Sequence, residues 1–159
     1  MKKALVTLLA ATFLGAAVPV LAQDKPATDP AALQALREKL RTDKKAVVAK
    51  NMVLSEAEAA KFWPLYEAYQ KALVPINQRF NRAILDYVAA ESSMTDKNAK
   101  RIMEEVAAAD DAESKLRRSH FGKLSSAISA KKAARYLQIE NKIRALERFD
   151  QAAAIPLVQ

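Results

Sequence analysis

The chain has no cysteine and, in 159 residues, only two glycines and one histidine. Without cysteine there are no disulfides, thiolate nucleophiles or thiolate metal ligands. His120, with no second imidazole to join it, leaves no basis for a closed zinc or copper site, and no cofactor is expected. After residue 22, no segment approaches the roughly 20 consecutive apolar residues that a membrane-spanning helix requires. Asp110, Asp111 and Glu113 suggest acid-base chemistry, but adjacent residues diverge on a helix, and no nucleophile or glycine-bearing loop accompanies them. Ser119 and His120 fail by the same geometry, so a non-enzyme is expected.

What is present begins at the N-terminus. Lys2 and Lys3 precede an apolar run from Ala4 to Val18, Pro19 breaks it, and Val20-Leu21-Ala22 places small residues three and one positions before a cut. This is the pattern of a secretory signal of residues 1–22, cleaved after Ala22. A chain exported without a cysteine at the cut has no lipid anchor, and the periplasm is the expected compartment. The formal charge of +8 falls to +6 once Lys2 and Lys3 leave. In a compartment without chromosomal DNA or ATP, that surplus points away from nucleic acid. It points instead towards unfolded polypeptides, an acidic sensor domain or peripheral contact with anionic lipid.

Removing the signal leaves a length suited to one domain. Alanine, leucine, lysine, arginine and glutamate dominate it, which predicts an all-α fold. A polar leader (23–29) ends in Asp29 and Pro30, an N-cap followed by a first-turn proline. They open a helix to about Asn51 with an apolar stripe of Leu33, Leu36, Leu40 and Val47. Arg37, Arg41, Lys44 and Lys45 form a basic face beside it.

Leu54-Ser55-Glu56-Ala57-Glu58 is a capping box that starts a second helix, running to about Ala90. Phe62, Tyr66, Tyr69, Leu73, Ile76, Phe80, Ile84 and Tyr87 make its apolar seam. Pro64 and Pro75 lie inside this helix. Their separation of eleven residues is close to a whole number of turns, so two kinks would bend the helix the same way with the seam on the concave side. The alternative is a split at Pro64 into a short and a long helix.

Thr95 caps a third helix bearing Ile102, Met103, Val106, Leu116, Phe121, Leu124 and Ile128. Glu113 and His120 fall on its seam, either as a polar register break or as a sensor pair, and Glu113 is expected to pair with Arg117 one turn on. Ser129 caps a fourth helix to about Ala154, with a stripe of Tyr136, Ile139, Ile143 and Leu146 flanked by Lys131, Arg135 and Lys142. Residues 30–154 are thus read as a single helical domain, and 155–159 as an apolar tail that docks on it.

An exported, basic, cysteine-free chain of four helices that opens a long helix at Leu54-Ser55-Glu56-Ala57-Glu58 resembles the Spy/CpxP family of periplasmic proteins. Its Leu-Thr-x-x-Gln motif is matched here with Ser55 for threonine and Glu58 for glutamine. A second copy, at Ile128-Ser129-Ala130-Lys131-Lys132, keeps only the aliphatic residue and the hydroxyl cap. Leu54, Ser55, Glu58, Ile128 and Ser129 carry over as helix-initiation residues, and the family's client-contacting residues do not transfer by motif. The resemblance implies a bent, mostly antiparallel hairpin assembly that dimerises into a cradle. It also implies an ATP-independent chaperone, a damper of an envelope-stress sensor kinase, or a metal-responsive protein.

Two functional expectations follow. In the first, a homodimeric chaperone-like protein gathers unfolded clients through Arg37, Arg41, Lys131, Arg135 and Lys142. It holds them on Phe62, Tyr66, Tyr69, Phe80 and Tyr87, wherever that seam is not closed by the chain's own core. In the second, a regulator docks its basic face on a sensor domain.

Overall fold

A computed structural model describes residues 30–157 of the chain. The expected signal and leader lie outside these residues, as do Val158, Gln159 and the side chains of Leu33, Leu36 and Arg41. All regular structure among the described residues is helical: α1 (Pro30–Met52), α2 (Glu56–Ala90), a 3-10 turn (Glu91–Ser93), α3 (Asp96–Ala127) and α4 (Ala130–Ala154).

Local sequence sets the helix starts. The Ser55 hydroxyl accepts the Glu58 amide at 3.3 Å, and the Glu58 carboxylate accepts the Ser55 amide at 2.9 Å, so both arms of the capping box close. Thr95 accepts from the Asn98 amide and Ser129 from the Lys132 amide. Lys132 also donates its ammonium to Glu58, tying the start of α4 to the start of α2. That hydrogen bond, with the one from the Ser55 backbone, holds the Glu58 carboxyl down at about 2.

Two departures from the expected helices come from single residues. Asp43 is non-helical (φ −153°, ψ 69°), and its carboxylate accepts the Ala46 amide at 2.8 Å. It is an internal N-cap that divides α1 into two segments. The break resets the helical phase, which is why Val48, and not Val47, is the fully buried residue. Past the end of α1, Val53 takes φ 45°, a left-handed conformation that is costly for a β-branched side chain. With glycine so scarce, valine occupies a position that glycine usually fills.

α2 runs without a break through Pro64 and Pro75, so it is not split at Pro64. Both prolines lie on the exposed face, where the carbonyls that lose an amide partner are nearest water. Closest packing joins α2 to α3, then α3 to α4 and α4 to α1. The side-chain pairs Arg79–Glu105 and Asp86–Arg101 make α2 and α3 antiparallel. Asp110–Arg148 and Glu113–Arg144 do the same for α3 and α4, and Arg37–Asp150 and Lys44–Glu140 for α1 and α4.

The core gathers at one end of this assembly, from Val48, Met52, Phe62, Tyr66, Leu124, Ile128, Ala133, Tyr136 and Ile143. Tyr136 is its hub. Phe62 stands edge-on to it at 5.1 Å, and the rings of Tyr66, Tyr69 and His120 lie within 6.5 Å. Such edge-to-face contacts add to area burial and fix side-chain orientation. Towards the other end, α2 and α3 meet over smaller side chains, with Ala83, Ile102 and Ala109 buried. Met103, expected on that seam, points outward at 64% exposure, because Ile102 takes the inward position.

Candidate functional site

The aromatic seam is closed by the chain's own helices. Phe62, Tyr66, Tyr69, Leu73 and Phe80 are all buried, so the expectation that they line an open client-binding hollow is corrected. They are intramolecular packing. Tyr87 is half-buried, and its hydroxyl donates to the Pro156 carbonyl at 2.7 Å, docking the start of the tail. Arg148 covers the outer end of the seam, its guanidinium 3.9 Å from the centre of the Phe80 ring.

The expected basic residues divide into two groups. Arg37 grips Asp150 with its Nε and Nη2, and Arg135 donates to the Asn51 carbonyl near the end of α1 at 2.6 Å. These two are structural ties, which corrects their assignment as free client contacts. Lys131 and Lys142 are exposed. Arg41 has no described side chain.

Behind the seam lies a buried polar network that sequence reasoning missed. Glu140 accepts hydrogen bonds from the Tyr136 hydroxyl (2.9 Å), the Gln70 amide (3.0 Å) and the Lys44 ammonium (2.9 Å), joining α1, α2 and α4. The signal was present in the sequence, since Glu140 stands four residues after Tyr136 and three before Ile143, in phase with the apolar stripe. Burial, together with the charge and hydrogen bond of Glu140, pushes the Tyr136 hydroxyl far above its usual pKa. It stays protonated and keeps donating.

Glu113 and His120 are buried, as their seam positions suggested, but they have different partners. Glu113 takes Arg144 at 2.6 Å and Arg148 at 3.3 Å from α4, rather than Arg117 of its own helix. The His120 ring stacks on Tyr69 at 4.3 Å, and its Nε2 has no hydrogen-bond partner. Burial, with Lys123 adding to it, pushes the His120 pKa down to about 4, so the ring is neutral at ordinary pH. No group of acids and histidines among the described residues is arranged to hold a metal ion.

Two openings flank this region. A cleft of about 300 Å³ is lined by residues of all four helices, including Lys44, Tyr69, Asn77, Arg117 and Arg144. A shallower groove on the α3–α4 side shares Arg117, Asn141 and Arg144 with it.

On its outer side, α2 carries a second kind of surface. Trp63, Val74 and Leu85 recur every eleven residues and therefore share one face, with Val88 a turn beyond Leu85. Lys45 of α1 lies over the Trp63 ring at 5.2 Å. Further along, Val74, Leu85 and Val88 are 51%, 69% and 49% exposed. Exposed Lys71 and Arg82, also eleven apart, run alongside. No described helix is long and apolar enough to cross a membrane.

No protein-family description, curated protein or solved structure matches this chain.

Proposed function

We propose that this chain is an exported, periplasmic, ATP-independent binding protein of chaperone-like character. In this reading it holds unfolded envelope polypeptides on the outer face of α2, while the aromatic seam keeps the helices in place. The observation that carries the reading is the uncovered strip of Val74, Leu85 and Val88 beside Lys71 and Arg82. Large aliphatic side chains left in water along one helix face mark an interaction surface. Cations beside them add attraction for acidic segments that weakens with salt. Matched bends at Pro64 and Pro75 would bow this face outward, and a homodimer would present two copies of it to a client. The reading assigns no catalytic step and no cofactor.

The test is aggregation of an unfolding client, followed by light scattering with residues 23–159 at low and high salt. Suppression that weakens with salt is expected, and the double variant Leu85→Ser with Val88→Ser should lose most of it while keeping its helicity. Unchanged suppression by that variant removes the strip from the mechanism. Absence of suppression at either salt favours the regulatory reading, in which exposed cations dock on an acidic sensor domain. Capture from envelope extracts would then recover one saturable partner.

A further inference from the structure

α4 stops at Ala154, and the residues beyond it leave the helix. Pro156 cannot continue a helix and favours an extended residue before it, as Ile155 is, at φ −98° and ψ 118°. The segment is therefore already shaped as an extended peptide. It reaches the end of α2, where the Tyr87 hydroxyl donates to the Pro156 carbonyl at 2.7 Å and Ile155 is half-buried. Pro156 and Leu157 stay exposed, Leu157 at 88%. Among the described residues, no other hydrogen bond or ion pair ties either of them to the helices.

Tyr87 offers its hydroxyl to a main-chain carbonyl, which every residue of every polypeptide carries, so the contact selects for extended backbone and tolerates varied sequence. Ile84 lies one turn before both Tyr87 and Val88 and is half-buried, whereas Leu85 and Val88 are open to water. An apolar arc thus joins the docked segment to the exposed strip of α2. A single hydrogen bond open to solvent adds little net stability, and the ends of a folded chain open most easily. The segment is held, but weakly.

We propose that the end of α2, at Ile84, Tyr87 and Val88, is a docking place for an extended aliphatic segment of polypeptide, and that Ile155-Pro156-Leu157 occupies it as a displaceable strap. A client segment with a branched aliphatic residue beside a free main-chain carbonyl takes the same contacts. It lifts the strap and extends the binding face from Leu85 and Val88 to Tyr87. A competing segment binds only the fraction of molecules in which the strap is lifted, so its affinity is reduced by that fraction. The identity of the competitor rests on the polypeptide-binding reading above; the docking of the strap does not.

Amide resonances of residues 23–159 would be followed by NMR during titration with the peptide acetyl-Ala-Ile-Pro-Leu-Val-amide, and with acetyl-Ala-Ser-Pro-Ser-Val-amide as control. Saturable shifts at Ile84, Tyr87 and Val88 are expected with the first peptide and none with the second. Ile155→Ser in the intact chain loosens the strap, so it should bind the first peptide about threefold or more tightly than the parent does. Ile155→Val should bind like the parent. Adding Tyr87→Phe to Ile155→Ser removes the hydroxyl and should reverse the gain. Circular dichroism checks that each variant stays folded. The proposal is overturned if the first peptide does not bind Ile155→Ser saturably, if the serine peptide binds as tightly, or if Ile155→Ser and the parent bind alike. An Ile155 shift that grows with protein concentration places a second copy's segment at Tyr87 and also overturns the strap. Client suppression is read separately: its absence beside peptide binding defeats the chaperone-like reading alone, and its presence without peptide binding defeats the strap alone.

Discussion

The two ends of the bundle use the same kind of apolar seam to different effect. Where α2 and α4 begin, Phe62, Tyr66 and Tyr136 interlock with Val48, Met52 and Leu124 and seal the interior. Where α2 ends and α3 begins, beyond Phe80, the buried side chains are Ala83 and Ile102, flanked by the exposed ion pairs Arg79–Glu105 and Asp86–Arg101, while Leu85, Val88 and Met103 face water. Large rings need neighbours on every side and bind several helices together. Small residues need only one partner helix, so they allow close approach and leave the outer faces free. Rigidity therefore concentrates at the aromatic end, and surface open to a partner at the other.

The strongest way to break that contrast is to empty the aromatic hub. Tyr136→Ala removes a ring that four others touch and leaves the Glu140 network short of a donor, so a loss of about 3–5 kcal/mol is expected in denaturant unfolding. Ile102→Val at the alanine-rich end should cost only about 0.5–1.5 kcal/mol. Equal losses at the two sites would remove the distinction.

Acid should loosen the aromatic end in a defined window. His120 titrates near 4 in the folded chain against 6.5 when unfolded, so the unfolded state binds the extra proton first. Stability is then fully retained above about pH 6.5 and declines as pH falls towards 4, by up to about 3 kcal/mol. Tyr69, Tyr136, Arg117, Lys123 and Glu140 surround or approach the ring, and the one carboxylate among them, Glu140, already accepts from Tyr136, Gln70 and Lys44. His120→Phe should flatten the slope between pH 6.5 and 4, and an unchanged slope would place the acid sensitivity elsewhere. Glu58, held near 2 against 4.5, loses its contribution only at lower pH, as it is protonated between those values.

The smallest effect should appear at the turn between α1 and α2. Val53→Gly relieves a left-handed valine and should stabilise by about 0.5–1 kcal/mol, visible as a rise in Tm. A fall in Tm would mean that the Val53 side chain contributes more than its backbone strain costs.

Much of this organisation was legible in local sequence. Ser55 with Glu58, Thr95 and Ser129 fix helix starts through hydrogen bonds three residues long, and they operate the same way in any surroundings. The stripe of α2 named Phe62, Tyr66, Tyr69, Leu73 and Phe80, which are buried, but not what would bury them. Whether Tyr66 and Tyr69 lined a hollow or a core depended on α4 bringing Tyr136 against them. Partner choice among charges was equally illegible: Glu113 had Arg117 one turn away and took Arg144 and Arg148 instead.

The sequence by itself determined four long helices, the caps of α2, α3 and α4 and most of their inward faces, because capping and periodicity act over a few residues. Tertiary structure alone decided that the aromatic seam is sealed, that Arg37 and Arg135 are structural ties, and that Glu113 finds its cations on α4. Those outcomes depend on contacts between residues tens of positions apart, which no local pattern records.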